Sequence, residues 1–138
     1  MMPVLTLACE DAEPASRLAD SATLVVFCLC ADWCDTCREF RATYERLAAA
    51  APERIFVWLD IEDDSDVCGD VDVDNFPTLA VFRGDSLLHF GASLPQEGNV
   101  ARLLAAVADR AHPVDVGSNA AQLAGRVRSY VLDKLGGG

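Results

Sequence analysis

The run Leu24-Val25-Val26-Phe27-Cys28-Leu29-Cys30, continuing into Ala31-Asp32-Trp33-Cys34-Asp35-Thr36-Cys37, decides how this chain is read. Its first part is continuously apolar and rich in branched side chains, the composition of a strand buried on both faces. Past Cys34 the period changes. Cys37, Phe40, Tyr44, Leu47, Ala48 and Ala51 recur at steps of three and four, while Arg38, Glu39, Arg41, Glu45 and Arg46 take the other face. Pro52 closes that helix. A buried strand therefore hands over directly to an amphipathic helix, with a Cys-x-x-Cys pair at the junction.

Working outward, Val4 to Leu7 is a short apolar run that opens a sheet, and Asp11 to Asp20 reads as a short helix started near Pro14. Arg54 to Ile61 is another buried strand. Thr78 to Phe82 and Leu87 to Phe90 flank Arg83-Gly84-Asp85-Ser86, which is a hairpin signal. Val100, Leu103, Leu104, Val107 and Ala111 mark a second amphipathic helix that stops before Pro113. Ser118 caps a last helix with Leu123, Val127, Tyr130 and Val131 on its inner face, and Gly136-Gly137-Gly138 forms a frayed tail. Strands joined through helices pair in parallel, and a hairpin adds an antiparallel edge. The expectation is an α/β fold with one central mixed β-sheet flanked by helices. Residues 1–112 form the domain, and residues 113–138 form an extra C-terminal helical extension packed on it.

A length of 138 residues suits a single domain with its own core, and 51% hydrophobic with 24% charged residues is ordinary for a compact soluble protein. The net charge of −11, with no basic stripe, argues against nucleic acid and against anionic membrane surfaces as partners. Met1 to Ala8 has no basic leader region, and Leu24 to Ala31 falls far short of the roughly 20 residues of a membrane span. Four of the six cysteines crowd between Cys28 and Cys37, which fits a cytoplasmic redox or metal role better than a secreted disulfide scaffold.

Cys34 stands where a helix begins, so unpaired backbone N–H groups and the positive dipole end face its sulfur and favour the nucleophilic thiolate. Cys37 follows one turn later, close enough for the two sulfurs to bond. Attack by Cys34 on a substrate disulfide, then by Cys37 on Cys34, would release the reduced product. Zinc also uses such a pair, but it needs a second pair or histidines, and His89 and His112 are not spaced as ligands. No metal is expected. Cys28 and Cys30, two apart on a strand, share a face. They read as small core residues, with a second redox pair or a relay to Cys37 as the alternative. Cys9 and Cys68 stand apart, nothing linking either to Cys34. Asp70-x-Asp72-x-Asp74 imitates the start of a calcium loop, but Asn75 and Val81 occupy the positions needing glycine and glutamate. The acidic stretch from Asp60 to Asp74 reads as a solvated loop that leads into Pro77.

Ala31-Asp32-Trp33-Cys34-x-x-Cys37, ending a strand and opening a helix, resembles the thioredoxin active site. Asn75-Phe76-Pro77-Thr78, followed by Leu79 to Phe82, is similar to that family's cis-proline loop and hairpin. The resemblance spans about residues 4 to 111 and implies a thioredoxin-like fold and a protein-disulfide reductase, with a thioredoxin-fold binding or chaperone module with dispensable cysteines, or a disulfide isomerase, as the alternatives. It makes Cys34 the attacking and Cys37 the resolving cysteine. Trp33 would pack beside the exposed sulfur, and Phe76 and Pro77 would meet an extended substrate segment. It further implies protein disulfide substrates, a separate electron-donating reductase, no bound cofactor and a monomer.

The chain departs from that family in its tuning residues. The family's buried aspartate six positions before the first active cysteine is Cys28 here, and the lysine near it is replaced by Trp58. Loss of an acid together with its base leaves neither unpaired, but it removes a proton acceptor for Cys37. Asp35 and Thr36 stand where the family usually has Gly-Pro. A carboxylate beside Cys34 opposes the helix dipole, and Thr36 offers a hydroxyl to a sulfur.

Overall fold

The computed structural model describes residues 5–6, 24–31, 34–51, 54–61, 77–83, 86–92, 96–109 and 125. Five strands, β1 (Leu5–Thr6), β2 (Leu24–Cys30), β3 (Ile55–Asp60), β4 (Thr78–Arg83) and β5 (Ser86–Ala92), make one sheet in the order β1-β3-β2-β4-β5. Two helices, α1 (Asp35–Ala50) and α2 (Glu97–Ala108), complete the described elements. As expected, β1, β3 and β2 run parallel, while β4 and β5 run antiparallel to their neighbours.

β2 is the centre of this sheet. It pairs with β3 from Val25–Ile55 to Cys30–Asp60 and with β4 from Leu24–Arg83 to Leu29–Thr78. All seven of its residues are buried, as its unbroken apolar run predicts. Alternation sends Leu24, Val26, Cys28 and Cys30 to one face, where they join Phe56, Leu79 and Val81 beneath both helices. Phe27 points to the opposite face and meets Phe82 edge-to-face at 5.6 Å. In the hairpin, a bulge between Val81 and Phe82 shifts the register, and the adjacent Leu87 and Leu88 are both buried.

The three- and four-residue spacing of α1 buries Cys37, Phe40, Tyr44, Leu47 and Ala48. Tyr44 is the anchor. Its ring packs on Phe40, Phe56 and Trp58 at centroid distances of 5.7, 5.4 and 5.7 Å. Its hydroxyl lies 2.9 Å from the Val26 carbonyl and 3.0 Å from that of Val57, donating between two neighbouring strands. α2 buries Val100, Leu104 and Val107 on the same face of the sheet as α1. Arg46 of α1 reaches Glu97 of α2 at 2.8 Å, an exposed ion pair of about 0.2 to 1 kcal/mol. At the other end of α2, the Arg83 guanidinium donates to the Ala108 carbonyl at 2.7 Å, where the helix dipole favours a cation.

Boundaries differ from the sequence reading by a residue or two: β3 runs Ile55–Asp60 rather than Arg54 to Ile61, and β5 extends to Ser86–Ala92. α2 ends at Ala108, with Asp109 as its C-cap. The helix expected at Asp11 to Asp20, the turn at Gly84-Asp85, and Ala111 lie outside the described residues. So does the C-terminal extension, Gly125 excepted.

Replacing Tyr44 by Phe keeps the ring and removes the hydroxyl that joins β2 to β3. The expected loss is about 1 to 2 kcal/mol in urea unfolding, without change in the slope of the transition.

Candidate active site

The end of β2 and the start of α1 are held by three main-chain hydrogen bonds. The Cys34 amide donates to the Ala31 carbonyl at 3.0 Å, the Arg38 amide to the Cys34 carbonyl at 3.1 Å, and the Ile61 amide to the Cys30 carbonyl at 2.9 Å. Cys34 is the N-cap of α1, with extended backbone (φ −87°, ψ 118°) and no side-chain cap. Cys34 is half-buried and carries no disulfide. One turn later Cys37 points inward and is 1% exposed.

The disulfide does not join these two. In this structure Cys37 is bonded to Cys30, across a Cα–Cα distance of 5.8 Å, while Cys34 is free. The reason lies in direction. Cys30 is the last residue of β2 and faces α1, and the first turn of α1 lays Cys37 over that strand end, within bridging range. Cys34, at the cap, sits at the rim of the same cluster. Cys28 is one step back along the strand with its sulfur 3.7 Å from that of Cys30. Cys28, Cys30 and Cys37 thus line one buried path, and Cys30 is both a core residue, as expected, and bonded to Cys37.

Cys28 occupies its expected place beside Trp58, its register partner on β3. Burial pushes its thiol far above the ordinary thiol range, and the Arg41 cation only partly opposes this. Tyr44 is pushed up in the same way by burial, and Cys28 adds to the effect. The sequence reading put Arg41 on the outer face of α1. Its guanidinium instead lies 5.0 Å over the Trp58 ring while Glu45 holds it at 3.7 Å. Position i+4 from Cys37 on a helix was the signal for this placement.

Asp35 is exposed and pairs with Arg38 one turn on. Thr36 is half-buried and, with Glu39, Phe40, Thr43 and Gln96, lines a shallow groove of about 210 Å³ between α1 and the start of α2. Pro77 is buried immediately before Thr78, whose partner is Leu29, so it lies at the cysteine end of the sheet. Asp60 is the register partner of Cys30 at that end. Trp33 and Phe76 lie outside the described residues, as do Cys9, Cys68 and the acidic segment past Ile61. Among the described residues no group of three His, Cys, Asp or Glu has metal-binding geometry, and no helix is long and apolar enough to cross a membrane.

The buried Cys28 thiol has a stability signature. A thiol whose folded value is raised binds its proton more tightly folded than unfolded, so its stabilisation is full below the unfolded value. It is lost as pH climbs past about 8.5, at up to about 1.4 kcal/mol per pH unit. Unfolding free energies of wild type and Cys28→Ala, measured from pH 7 to pH 10, are expected to converge above that point.

The thioredoxin family profile matches residues 5–103. Over 69 residues the chain is 33% identical to thioredoxin-2 of Saccharomyces cerevisiae, a match spanning 50% of this chain and 66% of the yeast protein, just under two thirds of its length. The fold is similar to that of Fasciola hepatica thioredoxin (TM-score 0.60, 21% identity, 76% of this chain and 98% of that one). It is also similar to a chain in the complex of ferredoxin:thioredoxin reductase with thioredoxin f2 (TM-score 0.60, 15% identity, 75% of this chain and 94% of that one). With a central mixed sheet, a helix opening at Cys34 and this match over most of its length, the chain belongs to the thioredoxin family.

Proposed function

We propose that the protein is a thiol–disulfide oxidoreductase that reduces protein disulfides, with Cys34 attacking and Cys37 resolving. One observation carries the reading: an accessible sulfur at the N-cap of α1, with a buried sulfur already engaged in disulfide chemistry one turn behind it. Family membership supports it.

The cycle starts from the fully reduced chain. The Cys34 thiolate forms a bond to one sulfur of the substrate disulfide, and the other substrate sulfur leaves with the electron pair. Cys37 then attacks the Cys34 sulfur, the bond to substrate breaks, and the second substrate thiol departs. Two electrons have passed to the substrate, and the chain holds Cys34–Cys37. The cysteines carry the electrons themselves, so the reaction asks for no bound cofactor.

Regeneration needs a separate electron-donating reductase, and the fold likeness to a chain of the ferredoxin:thioredoxin reductase and thioredoxin f2 complex supports a donor of that kind. Pro77, at the cysteine end of the sheet, together with Trp33 and Phe76, is proposed to contact the substrate segment, as the family resemblance implies. We assign the protein to a reducing compartment, the cytoplasm, working as a monomer. Support for the compartment comes from the crowding of four cysteines on one strand and one turn of helix, a spacing unlike a secreted disulfide scaffold.

Dithiothreitol-driven reduction of insulin tests the reading. Cys34→Ser is expected to lower the rate at least about a hundredfold, and Cys37→Ser to accumulate a mixed disulfide at Cys34. Full activity in Cys34→Ser would take the attacking role away from Cys34, and a wild-type rate no faster than dithiothreitol alone would make the chain a binding module with dispensable cysteines.

A further inference from the structure

We propose that Cys30 is a third redox-active residue, and that Cys37 alternates between two disulfide partners, Cys34 at the surface and Cys30 in the core. The proposal rests on the reading of Cys34 and Cys37 given above and extends it by one step.

The geometry centres on Cys37. It is bonded to Cys30 beneath α1, and it lies one helical turn from Cys34, which is free and packs against the same cluster. Cys37 therefore stands between two cysteines, bonded to the one that ends β2 and one helical turn from the one that caps α1. Cys30 and Cys37 are each 1% exposed, whereas Cys34 is half-buried. The inner pair is closed to any large reductant, and the outer sulfur is open.

The step is an internal exchange. Once Cys34–Cys37 has formed by reduction of a substrate disulfide, the Cys30 sulfur attacks Cys37. The Cys30–Cys37 bond forms, the Cys34–Cys37 bond breaks, and the electron pair leaves on Cys34, which takes up the proton that Cys30 gave away. Nothing is oxidised or reduced overall, so no further reagent enters. Direction follows from solvation. A charge on Cys30 would be stripped of water, while the half-buried Cys34 retains contact with it, so the equilibrium favours the inner bond.

This changes what the oxidised chain presents. With the disulfide inside, Cys34 is again a free surface thiol, but Cys37 is occupied and cannot resolve. A second disulfide meeting Cys34 is then held as a mixed disulfide until a reductant opens Cys30–Cys37. Cys28 sits 3.7 Å from Cys30 on the same strand face, yet it stays a free thiol while Cys30 is bonded to Cys37.

The test uses the full chain. Reduced protein is oxidised with one equivalent of a protein disulfide, the folded product is labelled with N-ethylmaleimide, and peptide mapping locates bonds and labels. The expected result is a Cys30–Cys37 link, with Cys34 labelled within about threefold of its rate in reduced protein. A Cys34–Cys37 link with Cys34 protected more than about tenfold would overturn the proposal.

In Cys30→Ala, and in Cys30→Val should the smaller side chain fail to fold, only the outer bond remains. Cys34 of the oxidised variant should then lose its reactivity at least about tenfold, and retained reactivity counts against the proposal. The parent reading fails separately, by insulin reduction persisting in Cys34→Ser, an outcome that leaves the wild-type map free to show or refute the inner link.

Discussion

β2 has no solvent face, and the rest of the described structure depends on that. Every residue from Leu24 to Cys30 is buried, with β3 hydrogen-bonded on one side and β4 on the other. A strand in this position accepts apolar or small neutral side chains and little else. It also fixes where the chain must turn. β2 ends at Cys30, the Cys34 amide closes a turn on the Ala31 carbonyl, and α1 begins directly over the sheet. Cys34 stands at the rim because the turn leaves it there, and Cys37 stands over Cys30 because the next helical turn does. The Tyr44 hydroxyl between Val26 and Val57 holds that helix down two turns later.

Much of this was legible in the sequence. An unbroken apolar run can be recognised as a central strand, and the inner face of α1 follows from its period, both without any knowledge of neighbours. The parallel half of the sheet and the hairpin follow from connectivity. What escaped is what joins one element to another. Cys30 and Cys37 are seven residues apart across a strand–helix junction, a spacing that belongs to neither element's period. Arg41 has the polarity of an outer-face residue, but a long aliphatic stem lets its guanidinium reach the Trp58 ring. The bulge that buries both Leu87 and Leu88 has no mark in the local sequence.

Beneath α1, charge is replaced by sulfur and aromatic surface. Cys28 and Trp58, side by side in register, occupy the positions that in this family's pattern hold an acid and a base. A thiol and an indole need no partner to be buried, whereas an ion pair does, so the exchange removes a desolvation cost at no loss of packing. Arg41 keeps a cation at the margin, stacked on Trp58 and steadied by Glu45, where its charge is partly hydrated.

The same exchange constrains the chemistry. A proton acceptor for Cys37 must itself be in its ionised form, and burial pushes Cys28 far above the ordinary thiol range, away from that form. Tyr44 is excluded for the same reason. Among the described residues, the carboxylate in register with the cysteine end of β2 is that of Asp60, opposite Cys30 rather than beneath Cys37. Where the family's pattern has an aspartate this strand has Cys28, and two residues later it supplies the disulfide partner of Cys37.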